Sequence, residues 1–194
     1  SALVRKAEHE TLLVIGGVIM PFAIAMRNPH WLGEPENEVH DLCLHAKVFL
    51  KIDEEVVNPG TSDNWTVSAG ALRFLRSLFA DHLYGKEQHL LPHCGHFMIA
   101  KNDGNEVDII GCPIGIDFSV LHHGDKIELV SAEGKSHMIS FAEYKEAVLA
   151  FAKSVEDFYN QCDRKVTSDD FEEAGYVAFW TEWRALIKRL CVSK

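Results

Sequence analysis

The sequence predicts a single α+β domain over 1–194, an antiparallel sheet with helices packed on it. Three observations predict it. Apolar and polar residues alternate from Asp41 to Ile52, turn signals punctuate 94–140, and apolar residues recur at helical spacing from Ser140 onward. No repeat, low-complexity tract or Pro/Gly/Ser linker divides the chain, and 47% hydrophobic with 25% charged residues is ordinary for a globular protein of 194 residues.

The first element is an N-terminal strand region within Leu12–Met26. Gly16, Gly17 and Pro21 interrupt this apolar stretch, which is about five residues short of a comfortable membrane span. Glu8 and Glu10 stand where a signal peptide carries basic residues, so a buried strand is expected instead. The polar segment Asn28–Glu38 leads to a half-buried strand. Leu42, Leu44, Ala46, Val48, Leu50 and Ile52 share one side of it, with Asp41, His45, Lys47 and Lys51 on the other. Ser68 then reads as the N-cap of a helix over about 68–84 with the stripe Leu72, Leu75, Phe79 and Leu83, stopped near Gly85.

A meander of about four strands follows over about 94–140. Asn102-Asp103-Gly104 predicts a three-residue loop flanked by Lys101 and Asn105. That register sets Phe97 against Ile109 and Ile99 against Val107, and carries Cys94 opposite Cys112. Cys112-Pro113-Ile114-Gly115 reads as a tight turn with proline second. His123-Gly124 predicts a two-residue loop, with Phe118 facing Leu129 and Val120 facing Ile127; the register at Ala132-Glu133-Gly134 stays open. Ser140 with Glu143 forms a capping box for a helix over about 141–160, carrying Phe141, Tyr144, Val148, Phe151, Val155 and Phe158. The last helix, about 169–191, starts at the acidic Asp169-Asp170 and carries Phe171, Phe179, Trp183, Leu186 and Leu190. Tyr176 and Trp180 fall outside that stripe.

Composition narrows function. Nineteen Lys and Arg against 29 Asp and Glu give a net charge of −10. This argues against sequence-independent nucleic-acid binding, which needs clustered cations, and suits a cationic protein partner. Five cysteines without repeated spacing do not form a disulfide framework, so a cytoplasmic protein with reduced thiols is expected, with no membrane partner. There is no phosphate loop, dinucleotide fingerprint or two-histidine helix motif, and no catalytic residue is assigned. The acidic pairs at Asp53-Glu54-Glu55, Asp169-Asp170 and Glu172-Glu173 read as a strand end and helix starts.

One local constellation carries chemistry. Cys94, His96 and Cys112 on one strand face offer a zinc site, with His93 or another histidine as fourth ligand, or a thiol pair able to oxidise. The competing reading makes both cysteines small buried hydrophobes.

A resemblance adds to this. Pro92-His93-Cys94-Gly95-His96, Gly111-Cys112-Pro113-Ile114-Gly115-Ile116-Asp117, Ser140-Phe141-Ala142-Glu143-Tyr144 and Glu173-Ala174-Gly175-Tyr176-Val177-Ala178-Phe179-Trp180-Thr181-Glu182-Trp183 occur in that order. Over about 91–185 the chain resembles small bacterial proteins of the immunity type found in polymorphic-toxin systems. The resemblance implies a protein that binds and blocks a partner toxin, and it names no catalytic residue. His93 and Ile114 stand where it leads one to expect Cys and Asn, which takes weight from a metal role inherited through it.

Two readings follow. The first is a non-catalytic protein-binding module, an immunity-type protein neutralising a cationic toxin, with Tyr176 and Trp180 as its aromatic anchor and no cofactor. The second is a metal- or thiol-dependent enzyme centred on Cys94, His96 and Cys112, with zinc as the cofactor. A third, plainer reading makes the aromatics near Trp180 the self-interface of a homo-oligomer.

Overall fold

The computed structural model describes residues 20–33, 35–61, 64–86, 88–95 and 97–192. Among these residues it is an α+β arrangement of antiparallel sheets with three α-helices. The part of the expected N-terminal strand region before Met20 lies outside the described residues.

The alternating segment becomes the central strand of the first sheet. Strand β1 (Phe22–His30) pairs with β2 (His45–Ile52), setting Phe22 against Ile52 and Met26 against Val48. Strands β3 (Glu55–Pro59) and β4 (Trp65–Thr66) also pair with β2. Ala46, Val48, Leu50 and Ile52 are buried as their period of two requires. The other face is partly covered too, since His45 and Lys51 are buried.

Helix α1 (Val67–Arg76) departs from expectation at both ends. Thr66 occupies the cap position without a side-chain cap bond, whereas the Ser68 hydroxyl is buried and accepts the Leu44 amide at 3.1 Å. The helix stops at Arg76 instead of running to Leu83, and Leu83 is exposed. The reason is tertiary. Ser77 bonds Phe74 O and the Tyr144 hydroxyl, and His82 exchanges backbone hydrogen bonds with Val120 at 2.9 and 2.8 Å. Those partners draw the chain out of the helix.

The 94–140 region is antiparallel throughout but is divided among three small ladders. Strand β5 (Leu91–Pro92) pairs with β8 (Gly115–Ile116), β6 (Phe97–Lys101) with β7 (Glu106–Ile110), and β10 (Lys126–Val130) lies between β9 (Ser119–His123) and β11 (Ser136–Ser140).

Two registers differ from expectation, with opposite consequences. In the β9–β10 hairpin the loop is Gly124-Asp125, so Val120 faces Leu129 and not Ile127. That is a slip of two, which returns every side chain to its expected face, and Val120, Ile127 and Leu129 are buried. In β6–β7 the loop has four residues, and Phe97 faces Ile110 while Met98 faces Ile109. This slip of one exchanges the faces: Met98, Val107 and Ile109 are buried and Phe97 is 62% exposed. Asn102, Asp103 and Gly104 all take positive φ, a conformation that Asn and Asp tolerate better than other side chains and that lengthens the loop.

Helix α2 (Phe141–Gln161) starts at the expected capping box, with Glu143 N–H on Ser140 Oγ at 3.2 Å. It packs on β1 and α1. Phe22, Phe74, Phe118, Tyr144 and Phe151 meet in the core, ring centroids 5.0 to 6.4 Å apart, and so join β1, α1, α2 and the approach to β9. Phe158 is only half-buried, against Trp31. Helix α3 (Asp170–Val192) covers β6 and β7. Phe179, Trp183 and Leu186 are in the core, whereas Phe171 is 58% exposed because it stands in the first turn, beyond the covered face. At the crossing, a Cβ on Gly175 would lie 1.8 Å from Met98 O, so only glycine allows this approach. No helix among the described residues is long and apolar enough to cross a membrane.

The outer edge of β7 is closed by side chains. Arg76 and Glu182 form a forked pair at 2.6 and 2.7 Å. Arg76 also donates to Val107 O, and Glu182 accepts the Val107 amide at 2.8 Å. Arg73 donates to Ile109 O at 2.9 Å and to His89 O, and burial lowers its pKa to about 10.

Two stability predictions follow from this packing. Phe151→Ala is expected to cost about 3–5 kcal/mol in urea unfolding, since the ring is fully buried. Glu182→Ala is expected to cost about 2–3 kcal/mol, somewhat below a fully buried pair because the Arg76 side chain is 38% exposed and can rehydrate.

Candidate functional site

The two short ladders β5–β8 and β6–β7 meet end to end, and the segments between them carry the cysteines. On one strand pair His93 N–H donates to Ile114 O at 2.9 Å, extending β5–β8 by one bond. On the other the pairing ends at Phe97 and Ile110. Between these limits the chains come together at Gly111. A Cβ there would lie 1.9 Å from Cys94 O, so a larger residue would force the segments apart.

That approach lets Cys112 N–H donate to Cys94 Sγ at 3.0 Å. His93 Nδ1 lies 4.0 Å from Cys112 Sγ, and the ligand atoms of His93, Cys94 and Cys112 all fall within 4.8 Å of one another. Trp65 holds the His93 ring edge-to-face at 5.9 Å. Both cysteines are half-buried and His93 is exposed. Cys94 and Cys112 line a cleft of about 270 Å³ with Arg73, Gln88, His89 and Pro113.

The sequence brought the right cysteines together by the wrong route. They are not opposed residues of a continuous ladder; with the observed register the strands have parted before reaching them, and both lie outside the strands. Gly115, expected to close a tight turn, pairs instead with Pro92. His96 lies outside the described residues, and His93 stands at the cluster. All five cysteines are free; Cys94 and Cys112, expected mostly buried, are half-buried, and Cys43 is the buried one.

The two thiols are electrostatically unequal. The neighbouring Cys94 thiol holds the Cys112 pKa below the ordinary thiol value, helped by nearby backbone groups. Burial and the neighbouring Cys112 push Cys94 up.

Tyr176 and Trp180, the expected anchor, are half-buried. Trp180 packs edge-to-face on Tyr159 at 5.0 Å and on Tyr176 at 6.4 Å, with Arg184 over its ring at 5.9 Å. They line an open cleft of about 390 Å³ whose rim mixes Glu156, Asp163 and Glu173 with Arg164, Lys165 and Arg184. Lys165 lies 3.0 Å from the Trp31 ring centroid, and burial lowers its pKa to about 8.

Other ionisable groups are structural. His82 Nε2 bonds Asp117 Oδ1 at 2.7 Å, and Asp117 also accepts the Gly85 and Leu90 amides. Burial alone would raise the Asp117 pKa, but those bonds lower it. This pair escaped the sequence reading, because no spacing links residues 82 and 117. Asp169 Oδ1 accepts Glu172 N–H at the start of α3, and His122 and His137 engage Ser77 O and Asp53.

Thiol labelling checks this site. With limiting iodoacetamide near pH 7, Cys112 is expected to react ahead of the exposed Cys191, since its lowered pKa leaves more thiolate. Cys43, whose pKa burial pushes up to about 12, is expected to react last. Gly111→Ala should remove the advantage of Cys112 by displacing it from Cys94; mass spectrometry of the labelled peptides reads all three.

Comparison with family models, curated proteins and solved structures finds no match.

Proposed function

We propose that the chain is a non-catalytic protein-binding module of the immunity type, which neutralises a cationic toxin. The observation that carries this reading is the open cleft of α3, where Tyr176 and Trp180 remain half-exposed beside the buried Phe179 and Trp183. Tight protein complexes concentrate their energy in a few such aromatic residues. The charge of −10 supplies the long-range attraction for a basic partner. The rim of the cleft is itself of mixed charge, so steering comes from the whole surface and affinity from the aromatic contact.

A second reading, a metal- or thiol-dependent enzyme centred on Cys94 and Cys112, is favoured by the approach of His93 to the two cysteines in a solvent-open cleft.

The first reading is tested by binding kinetics against a basic partner captured from the source cell. Association is expected to slow steeply between low and physiological salt. Trp180→Ala is expected to speed dissociation by roughly 30-fold or more, the hot-spot range, while leaving association nearly unchanged. Salt-independent association, or an acidic partner, would contradict the electrostatic part; an unchanged dissociation rate would contradict the anchor.

A further inference from the structure

We propose that His93, Cys94 and Cys112 hold a single zinc ion that ties the end of the β5–β8 ladder to the β6–β7 hairpin. The inference deepens the second reading of the site and stands apart from protein binding through Trp180.

The geometry is near that of a metal centre. Tetrahedral zinc with bonds of about 2.3 Å to sulfur and about 2.0 Å to nitrogen sets its donors roughly 3.5–3.8 Å apart. The three donor atoms here lie within 4.8 Å of one another, so closing on an ion needs side-chain shifts of about 1 Å. The backbone is already in place. Gly111 lies against Cys94 O where no other residue fits, and the ladders on either side fix both segments.

The surroundings suit a thiolate ligand. The Cys112 amide points at Cys94 Sγ from 3.0 Å, the kind of outer hydrogen bond that orients and stabilises a metal-bound sulfur. His93 N–H is engaged by Ile114 O and its carbonyl accepts from Thr66, so the imidazole is presented from a fixed backbone. Two sulfurs and one imidazole select a soft or borderline ion over magnesium or calcium. Three protein donors leave a fourth position of tetrahedral zinc for water or an external donor, and Cys94 and Cys112 border a cleft.

The ion would also have a mechanical effect. Phe97, Ile110 and Ile114 flank the cluster and are 62%, 44% and 60% exposed. Zinc would hold the segments bearing them in one arrangement.

The test is zinc titration of the full chain, reduced and freed of metal, against a chromophoric chelator, with His93→Ala, His93→Cys and Cys112→Ser alongside. His93 is exposed, so its replacement leaves the fold intact, and circular dichroism checks each variant. The expected result is about one ion per chain, held at least roughly tenfold more weakly by His93→Ala and roughly a hundredfold more weakly by Cys112→Ser, with His93→Cys close to the parent. The proposal is overturned by a reduced chain that fails to compete with the chelator, or by equal zinc binding in the folded His93→Ala and Cys112→Ser variants. None of these results bears on partner binding by Trp180, so the two ideas fail separately.

Discussion

The arrangement depends on a clasp of two side chains on the backbone of one residue. Arg76 from α1 and Glu182 from α3 form a forked pair, and together they satisfy both the carbonyl and the amide of Val107 on the edge of β7. The pair presents a donor and an acceptor much as a neighbouring strand would. It thereby closes an edge that would otherwise invite another chain to pair. Three elements distant in sequence are fixed at one point, and Arg73, one turn earlier on α1, donates likewise to the carbonyl of Ile109. Helix α1 ends as this clasp is formed, so its polar C-terminal turn is bound into the structure and not left to solvent.

Much of the fold was legible because it follows from local chemistry. The capping box at Ser140 and the alternation of β2 depend on neighbours in sequence and came out as expected. The β9–β10 slip of two was harmless because the side-chain period is also two. What escaped was set by distant partners. The end of α1 is decided by Tyr144 and Val120, neither of which the helix pattern can reveal. The β6–β7 register is decided by α3 lying on Met98 at Gly175, so the face of Phe97 could not be read from its hairpin alone.

The candidate site repeats this division. Cys94 and Cys112 stood out by sequence, yet their meeting rests on the close approach of Gly111, a residue whose importance lies in what it lacks. His93 entered as an auxiliary ligand and stands within the cluster. Tyr176 and Trp180 were singled out as surplus to the helix stripe, and they line an open cleft beside the core aromatics. Net charge, by contrast, says little about where a partner sits, because acids and bases share the rim of that cleft.

Among the described residues the β6–β7 hairpin shares no ladder with any other strand. It is held by a helix, by two arginines and by a carboxylate, and it can therefore open without breaking any sheet. Native-state hydrogen exchange in such a unit is governed by side-chain release and not by strand separation. The amide of Val107 is sheltered by a carboxylate, so its exchange reports on α3 more than on the hairpin it belongs to. The hairpin is tied to the rest of the molecule by side chains and by the helix on it, and the thiol cluster sits where its strands run on toward β5 and β8.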